Sequence, residues 1–322
     1  CTSVLDWSLS AGIGFSHFVS IGNALDVNFG DLIDYFAEDP ATASIVLYVE
    51  SITEARNFMS AARAFTHSMP IVVYKAGRFA ESAQAAASHT GAMAGVDAVY
   101  EAAFQRAGIV RVYETEDMFD CAELLARLRA PRGPRLAIVT NAGGPGVMAI
   151  DALLACNGKI ANLAPKTIEA LDSFLPPHWS RRNPVDVLGD AGPERYARAV
   201  DVAAKDDGVD ALLVVLTPQA MTNPTAVAEQ IAEAAKQSSK PVLAAWMGGK
   251  SVEQGRQILT RAGVATYPTP DRAVRAFSHL LKYVHNRETL YETPRDVPVH
   301  VSIDRDAARA LITEFSTHAP QT

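Results

Sequence analysis

Residues 135–158, RLAIVTNAGGPGVMAIDALLACNG, decide how the rest of the chain is read. The stretch opens with a continuous apolar run that ends at Thr140 and Asn141. An apolar run without alternation fits a strand buried on both faces. Gly143, Gly144, Pro145 and Gly146 follow, and a helical pattern starts at once. The glycines let backbone come close to a ligand, and Pro145 suits the first turn of a helix. Strand, Gly-rich turn and helix in direct succession are the unit of a parallel α/β sheet.

The same rhythm extends in both directions. FVSIG, SIVLYVE, PIVVYKA and IVRVY read as strands before this stretch; KIANL, PVDVL, ALLVVL, PVLAAWM and VATYP read as strands after it. Helical patterns such as FGDLIDYFAED, ITEARNFMSAARAFTHS, VDAVYEAAFQRAG and NPTAVAEQIAEAAKQS lie between them. Alternation of this kind predicts parallel sheets covered by helices on both faces. RAPRGPR, 129–135, has two prolines, a glycine and no apolar face, and marks a boundary. The expected organisation is two α/β domains, 1–130 and 133–285, with 286–322 as a polar linker. The length of 322 residues fits two domains with a core each.

Bulk properties narrow the function classes. The net charge of −7 argues against non-specific nucleic-acid binding, which needs a basic stripe. It does not exclude anionic ligands, because backbone amides at a helix start bind phosphate without lysine. Cys1, Cys121 and Cys156 form neither a metal spacing nor a disulfide framework, which points to a reducing, cytoplasmic compartment. No apolar run is long enough to predict a membrane span. The first residue is not Met, and DRDAARALITEFSTHAPQT begins a new amphipathic helix just before the end, so the chain reads as a piece of something longer.

In open α/β sheets ligands bind beyond the carboxyl ends of strands, and four such loops stand out. In ASHTGAMAG, His89 sits among small residues, with Ser88 or His89 expected at a helix N-terminus, where unpaired N–H groups favour an anion. A neutral imidazole can act there as a nucleophile; by spacing alone the plainer reading is a surface histidine beside a cap. In LYVES, Glu50 ends an apolar strand and is placed either to orient an imidazole or to favour the start of the next helix. The turn Asn141–Gly146 is a second anion-binding helix start; it lacks the Gly-Lys-Ser/Thr of a P-loop and is no match to GxGxxG. In RRNPVDVLGDAGPERY, Asn183 and Asp186 flank a short strand, where turn and cap chemistry is the plain alternative.

Taken in order, GFSHFVSIGNALDVNFGDLIDYFAEDP, LYVES, KAGR…AAASHTGAMAG and TNAGGPGVMAIDA…NPVDVLGDA resemble the NDP-forming acyl-CoA synthetases, the superfamily of succinyl-CoA synthetase and ADP-forming acetyl-CoA synthetase. The resemblance implies two flavodoxin-like domains. It makes His89 the transiently phosphorylated histidine and Glu50 its acidic partner. It makes Thr90 and Gly91, with Asn141, Gly143, Gly144, Pro145 and Gly146, two helix starts that hold the phosphoryl group, and it leaves Asn183 and Asp186 as candidate substrate contacts. The first strand of the histidine domain, with its Ser-Gly turn, is expected before this chain.

The implied reaction is acyl-CoA + phosphate + NDP ⇌ carboxylic acid + CoA + NTP, through an acyl phosphate and a phosphohistidine. CoA, ATP or ADP with Mg²⁺, and phosphate are the implied ligands. A CoA-binding domain and an ATP-grasp domain, in the same polypeptide or a partner subunit, are the implied partners, with a homodimer expected; no protein-held metal, nucleic acid or membrane is expected. The alternatives are the ligase-like sensor region of a GNAT-fused protein acyltransferase, and a non-catalytic binding module.

Overall fold

The structure, a computed structural model, describes every residue except 1–4, 7, 9–13, 80, 81, 83–95, 128, 129, 292–305, 308, 310–312 and 314–322. Residues 1–290 form one compact unit and 291–322 another. In the second, Asp306, Ala307, Arg309 and Thr313 are helical, and the Thr313 hydroxyl donates to the Arg309 carbonyl at 2.9 Å.

The first sheet is parallel, in the order β1 (Ile45–Val49), β2 (Ile71–Lys75), β3 (Val110–Val112). Its helices are α1 (Phe29–Ala37), α2 (Ala55–Thr66), α3 (Asp97–Arg106) and α4 (Thr115–Arg127). Asn28 opens α1 with a capping box: its side chain accepts from Gly30, while Asp31 accepts from the Asn28 N–H.

The second sheet uses β4 (Arg135–Thr140), β5 (Lys159–Ile160), β6 (Val185–Asp186), β7 (Ala211–Leu216), β8 (Val242–Trp246) and β9 (Ala265–Tyr267). Its order is β5-β4-β7-β8-β9, all parallel, and β6 pairs with the far end of β4. Its helices are α5 (Gly143–Ala155), α6 (Pro165–Asp172), α7 (Pro193–Ala204), α8 (Pro224–Gln237), α9 (Lys250–Arg261) and α10 (Pro270–Tyr291). Every residue of β7 and β8 is buried, as unbroken apolar strands in a two-sided sheet require.

Three cores follow from this layering. Ile45, Leu47 and Val49 of β1 meet Phe58, Phe65 and Phe104 of α2 and α3 on one face of the first sheet. Val139, Val214 and Trp246 meet α7, α8 and α9 on one face of the second. The third core is shared: Val72, Val110 and Val112 of the first sheet pack with α4, α5 and α10 and with Leu136, Ile138, Leu213 and Leu243 of the second. Its burial fixes the two sheets in one unit, and ion pairs at its margin join Asp120 to Arg272 and Asp117 to Arg275.

Two expectations need correction. FVSIG is no strand: residues 18–21 carry no ladder bond, and Phe18 and Val19 are 43% and 51% exposed. The run has the composition of a strand, but a strand exists only where a neighbour takes its N–H and C=O groups. The VDAVYEAAFQRAG pattern forms α3, which begins at Asp97 behind an extended Val96; the helix start expected at Ser88 or His89 lies outside the described residues. Asp97 suits the first turn of α3. Finally, α10 runs past 285, and the Asn286 amide, buried, donates to the Ile109 carbonyl at 3.0 Å.

Candidate active site

The carboxyl edges of both sheets carry the residues of interest. Glu50 is the first residue beyond β1 and is half-buried. The ladder runs one step past the strands, with the Ala76 N–H donating to the Val49 carbonyl at 2.9 Å. Glu50 therefore leaves the sheet where β2 turns into residues 76–79. Its charge is felt by two neighbours. Burial, then Glu50, pushes the Tyr48 phenol up. Burial pulls the Lys75 ammonium down; Asp97 and Glu50 oppose that and Arg111 adds to it.

Lys75 and Arg111 are missing from the sequence-based list of candidates. Both are buried, at the ends of adjacent strands, beneath the first turns of α3. Arg111 pairs with Asp97 at 2.5 Å and Glu101 at 3.0 Å. The Lys75 ammonium lies 4.6 Å from the centre of the Tyr100 ring and donates to the Ala76 carbonyl. The signal was present: Val73 pairs with Arg111, so period-2 alternation puts Lys75 and Arg111 on one face. Helix α3 buries Phe104 and packs Tyr100 against the core, and these ion pairs tie its first turns to the sheet. His89, Thr90 and Gly91 lie outside the described residues.

The second helix start is fully described. Ala142 caps α5 without a side-chain bond, so the N-cap residue leaves the N–H groups of the first turn unoccupied. Gly143 and Gly144 are exposed, and nothing stands within 4 Å of a Cβ built on Gly144. Gly146 differs: a Cβ there would meet Thr140 Cγ2 at 3.2 Å and Pro184 Cγ at 3.4 Å. Gly144 thus keeps a surface open, while Gly146 lets the helix sit on the strand ends. Pro145 fixes the first turn between them.

Asn141 and Asn183 do not face a ligand with free amides. Asn141 is buried and ties the β4 turn to the β7 turn: its Nδ2 donates to the Thr217 carbonyl at 2.8 Å, and its Oδ1 accepts from the Thr217 N–H at 2.9 Å and hydroxyl at 3.1 Å. Asn183 fills the gap beside β4, with Oδ1 accepting from Ile138 N–H and Nδ2 donating to the Leu136 and Ala161 carbonyls. The expectation that Asn183 contacts substrate does not fit a side chain committed in this way. Asp186 fits better: one carboxylate oxygen accepts from the Leu188 N–H at 2.9 Å, and the other lies 3.9 Å from a Cβ built on Gly143, at the mouth of α5.

Residues 1–125 match the model of the succinyl-CoA ligase-like flavodoxin domain, and residues 136–289 that of the ligase-CoA domain. The chain is 38% identical, over 97% of its length, to acetate–CoA ligase [ADP-forming] I of Archaeoglobus fulgidus, covering 44% of that protein. It belongs to the NDP-forming acyl-CoA synthetase superfamily. It is 39% identical to the alpha subunit of acetate–CoA ligase [ADP-forming] II of Pyrococcus furiosus, over 87% of this chain and 62% of that one. Among solved structures it is similar to the dinucleotide-forming acetyl-coenzyme A synthetase 1 of Ca. Korarchaeum cryptofilum, in complex with phosphate and ADP. There the TM-score is 0.84 and the identity 37%, over 89% of this chain and 63% of that one. The chain spans about half the length of the curated relatives it matches.

Proposed function

We propose that this chain is the phosphoryl-relay part of an NDP-forming acyl-CoA synthetase, interconverting acyl-CoA, phosphate and NDP with a carboxylic acid, CoA and NTP. The observation that carries this reading is the similarity along 97% of the chain to an enzyme named for that reaction class. The uncapped start of α5, left open by Gly144, supports it from the geometry. In the proposal the two functional halves are 1–130 and 133 to the end of α10, and CoA and nucleotide bind mainly to parts that complete the enzyme.

The chemistry assigned to this chain's residues runs in three steps. A phosphate oxygen attacks the thioester carbonyl, the CoA thiolate leaves, and an acyl phosphate forms. The free ring nitrogen of His89 then attacks phosphorus and the carboxylate leaves. Finally an oxygen of the NDP terminal phosphate attacks the phosphohistidine, which returns neutral His89 and releases NTP. Glu50 accepts the other imidazole N–H, fixes the tautomer and balances the cationic ring. The first-turn N–H groups of α5 face the phosphate and stabilise charge on its oxygens without reorganising.

Mg²⁺ would come with the nucleotide, held by its phosphates and by the parts that complete the enzyme, and would balance charge on the transferring phosphoryl group. The test is to combine the chain with its CoA- and nucleotide-binding parts and supply phosphate, ADP and a panel of acyl-CoA thioesters. ATP and free CoA should appear in equal amounts with at least one thioester. Nucleotide binding without ATP formation from any thioester would contradict the reading.

A further inference from the structure

The amino edge of the first sheet, a strand's length from Glu50, holds a cavity of about 340 Å³. It is lined by Met69 and Pro70 in the turn from α2 into β2, by Leu125 of α4, and by Leu280, Tyr283 and Arg287 of α10. Leu280, Tyr283 and Arg287 stand at i, i+3 and i+7, so they share one face of the helix. The bond from the Asn286 amide to the Ile109 carbonyl holds that part of α10 against the first sheet. Two polar groups in this mostly apolar lining lack protein partners. Tyr283 is only 7% exposed, yet its hydroxyl has no hydrogen-bond partner among the described residues; a buried phenol usually finds one. The half-buried Arg287 guanidinium meets no carboxylate among the described residues, and its contact there is the Tyr283 ring, whose centre lies 5.6 Å away.

We infer that this cavity binds a small monocarboxylate with an apolar body. The site stands apart from the function proposed above, which uses the opposite edge of the sheets. The paired N–H donors of a guanidinium fit the two oxygens of a carboxylate, and the Tyr283 hydroxyl supplies a further donor. Met69, Pro70, Leu125 and Leu280 take the apolar body out of water. An apolar cavity with a few convergent polar groups is the usual form of a small-molecule site, and this volume is at the lower end of their range, so the ligand is compact. Inorganic phosphate fits less well: its charge exceeds that of the one cation, and it leaves the apolar lining uncovered. A ligand seated there touches both the α2–β2 turn and α10, so it stabilises their join by mass action.

The test titrates the complete enzyme, isotope-labelled in its methionine methyl groups, with hexanoate and follows the methyl resonances. Met69 lines the cavity, whereas Met148 and Met221 lie near the carboxyl edge of the second sheet, so signals assigned by Met69→Leu, Met148→Leu and Met221→Leu report where the acid binds. Hexanoate should shift the Met69 signal and saturate. Arg287→Met, which keeps the apolar stem, should weaken that binding about ten- to hundredfold, and Tyr283→Phe, which loses only the hydroxyl, about two- to tenfold. Hexanol and inorganic phosphate should each bind at least about tenfold more weakly than hexanoate. A Met69 signal unmoved at about 10 mM hexanoate, shifts confined to Met148 and Met221, or an unchanged affinity in Arg287→Met overturns the site. Should Arg287→Met fail to fold, an unchanged affinity in Tyr283→Phe overturns it. Hexanol binding as tightly as hexanoate overturns the role of the carboxylate, and phosphate binding as tightly overturns the ligand class.

Discussion

Gly144→Ala separates stability from function at the start of α5. A Cβ there meets nothing within 4 Å, and the backbone of Gly144 does not lie in the left-handed region, so the methyl enters without strain. Replacing glycine by alanine in a helix lowers the entropy lost on folding and should stabilise the chain by about 0.5–1 kcal/mol. For a unit of this size that is about 1–3 °C in Tm. The same methyl stands at the mouth where phosphate must reach N–H groups at about 3 Å. Losing one charge-assisted hydrogen bond there costs about 1.5–3 kcal/mol, or about ten- to hundredfold in the KM for phosphate. Urea denaturation and initial rates against phosphate measure the two effects on one variant. A more stable enzyme with an unchanged phosphate KM would refute the assignment of α5 as the phosphate cradle; a less stable one would refute the open geometry at Gly144.

Other substitutions probe the frame around the site. Asn183→Ala strands the Ile138 N–H and the Ala161 carbonyl, while the Leu136 carbonyl keeps its bond from the Ala161 N–H, so it should cost about 2–4 kcal/mol in denaturant unfolding while leaving substrate KM values near wild type. Asp210 is held below the usual carboxylate range chiefly by hydrogen bonding from Arg135, whose guanidinium donates to it at 2.7 and 2.8 Å. Its stabilisation is therefore present above the unfolded carboxylate pKa and lost as pH falls through the lower folded value. Stability measured against pH should drop below about pH 4 in wild type, and Asp210→Asn should flatten that limb while lowering stability at pH 7. Burial pushes the Cys121 thiol well up, so iodoacetamide should modify Cys156 in the native chain and reach Cys121 only on unfolding.

The strand–helix rhythm was legible because β7 and β8 are apolar at every position, β4 is apolar between Arg135 and Thr140, and their helices begin at glycine or proline turns. FVSIG misled because composition records what a strand is made of, not whether a neighbour is there to pair with it. The amides of Asn141 and Asn183 misled for a related reason. After a strand, an amide serves equally to face a ligand or to knit one loop to the next, and only the position of Thr217 or Leu136 decides which. Lys75 and Arg111 were overlooked because cations inside apolar strands look like strand ends meeting water. Their burial depends on Asp97 and Glu101, which lie in another element and cannot be paired with them by spacing. The placement of Glu50 and the Gly143–Gly146 turn at the carboxyl ends of β1 and β4 was legible, because the position of a loop after a parallel strand follows from topology alone.

The central claim is that His89 carries the phosphoryl group with Glu50 as its partner. The most direct measurement incubates the complete enzyme with γ-labelled nucleotide and Mg²⁺, beside His89→Asn and Glu50→Gln. Label on the protein that is acid-labile and alkali-stable, absent in His89→Asn and reduced in Glu50→Gln, is the predicted result. A wild type that binds nucleotide and takes no label, or a His89→Asn variant that labels normally, would contradict the account.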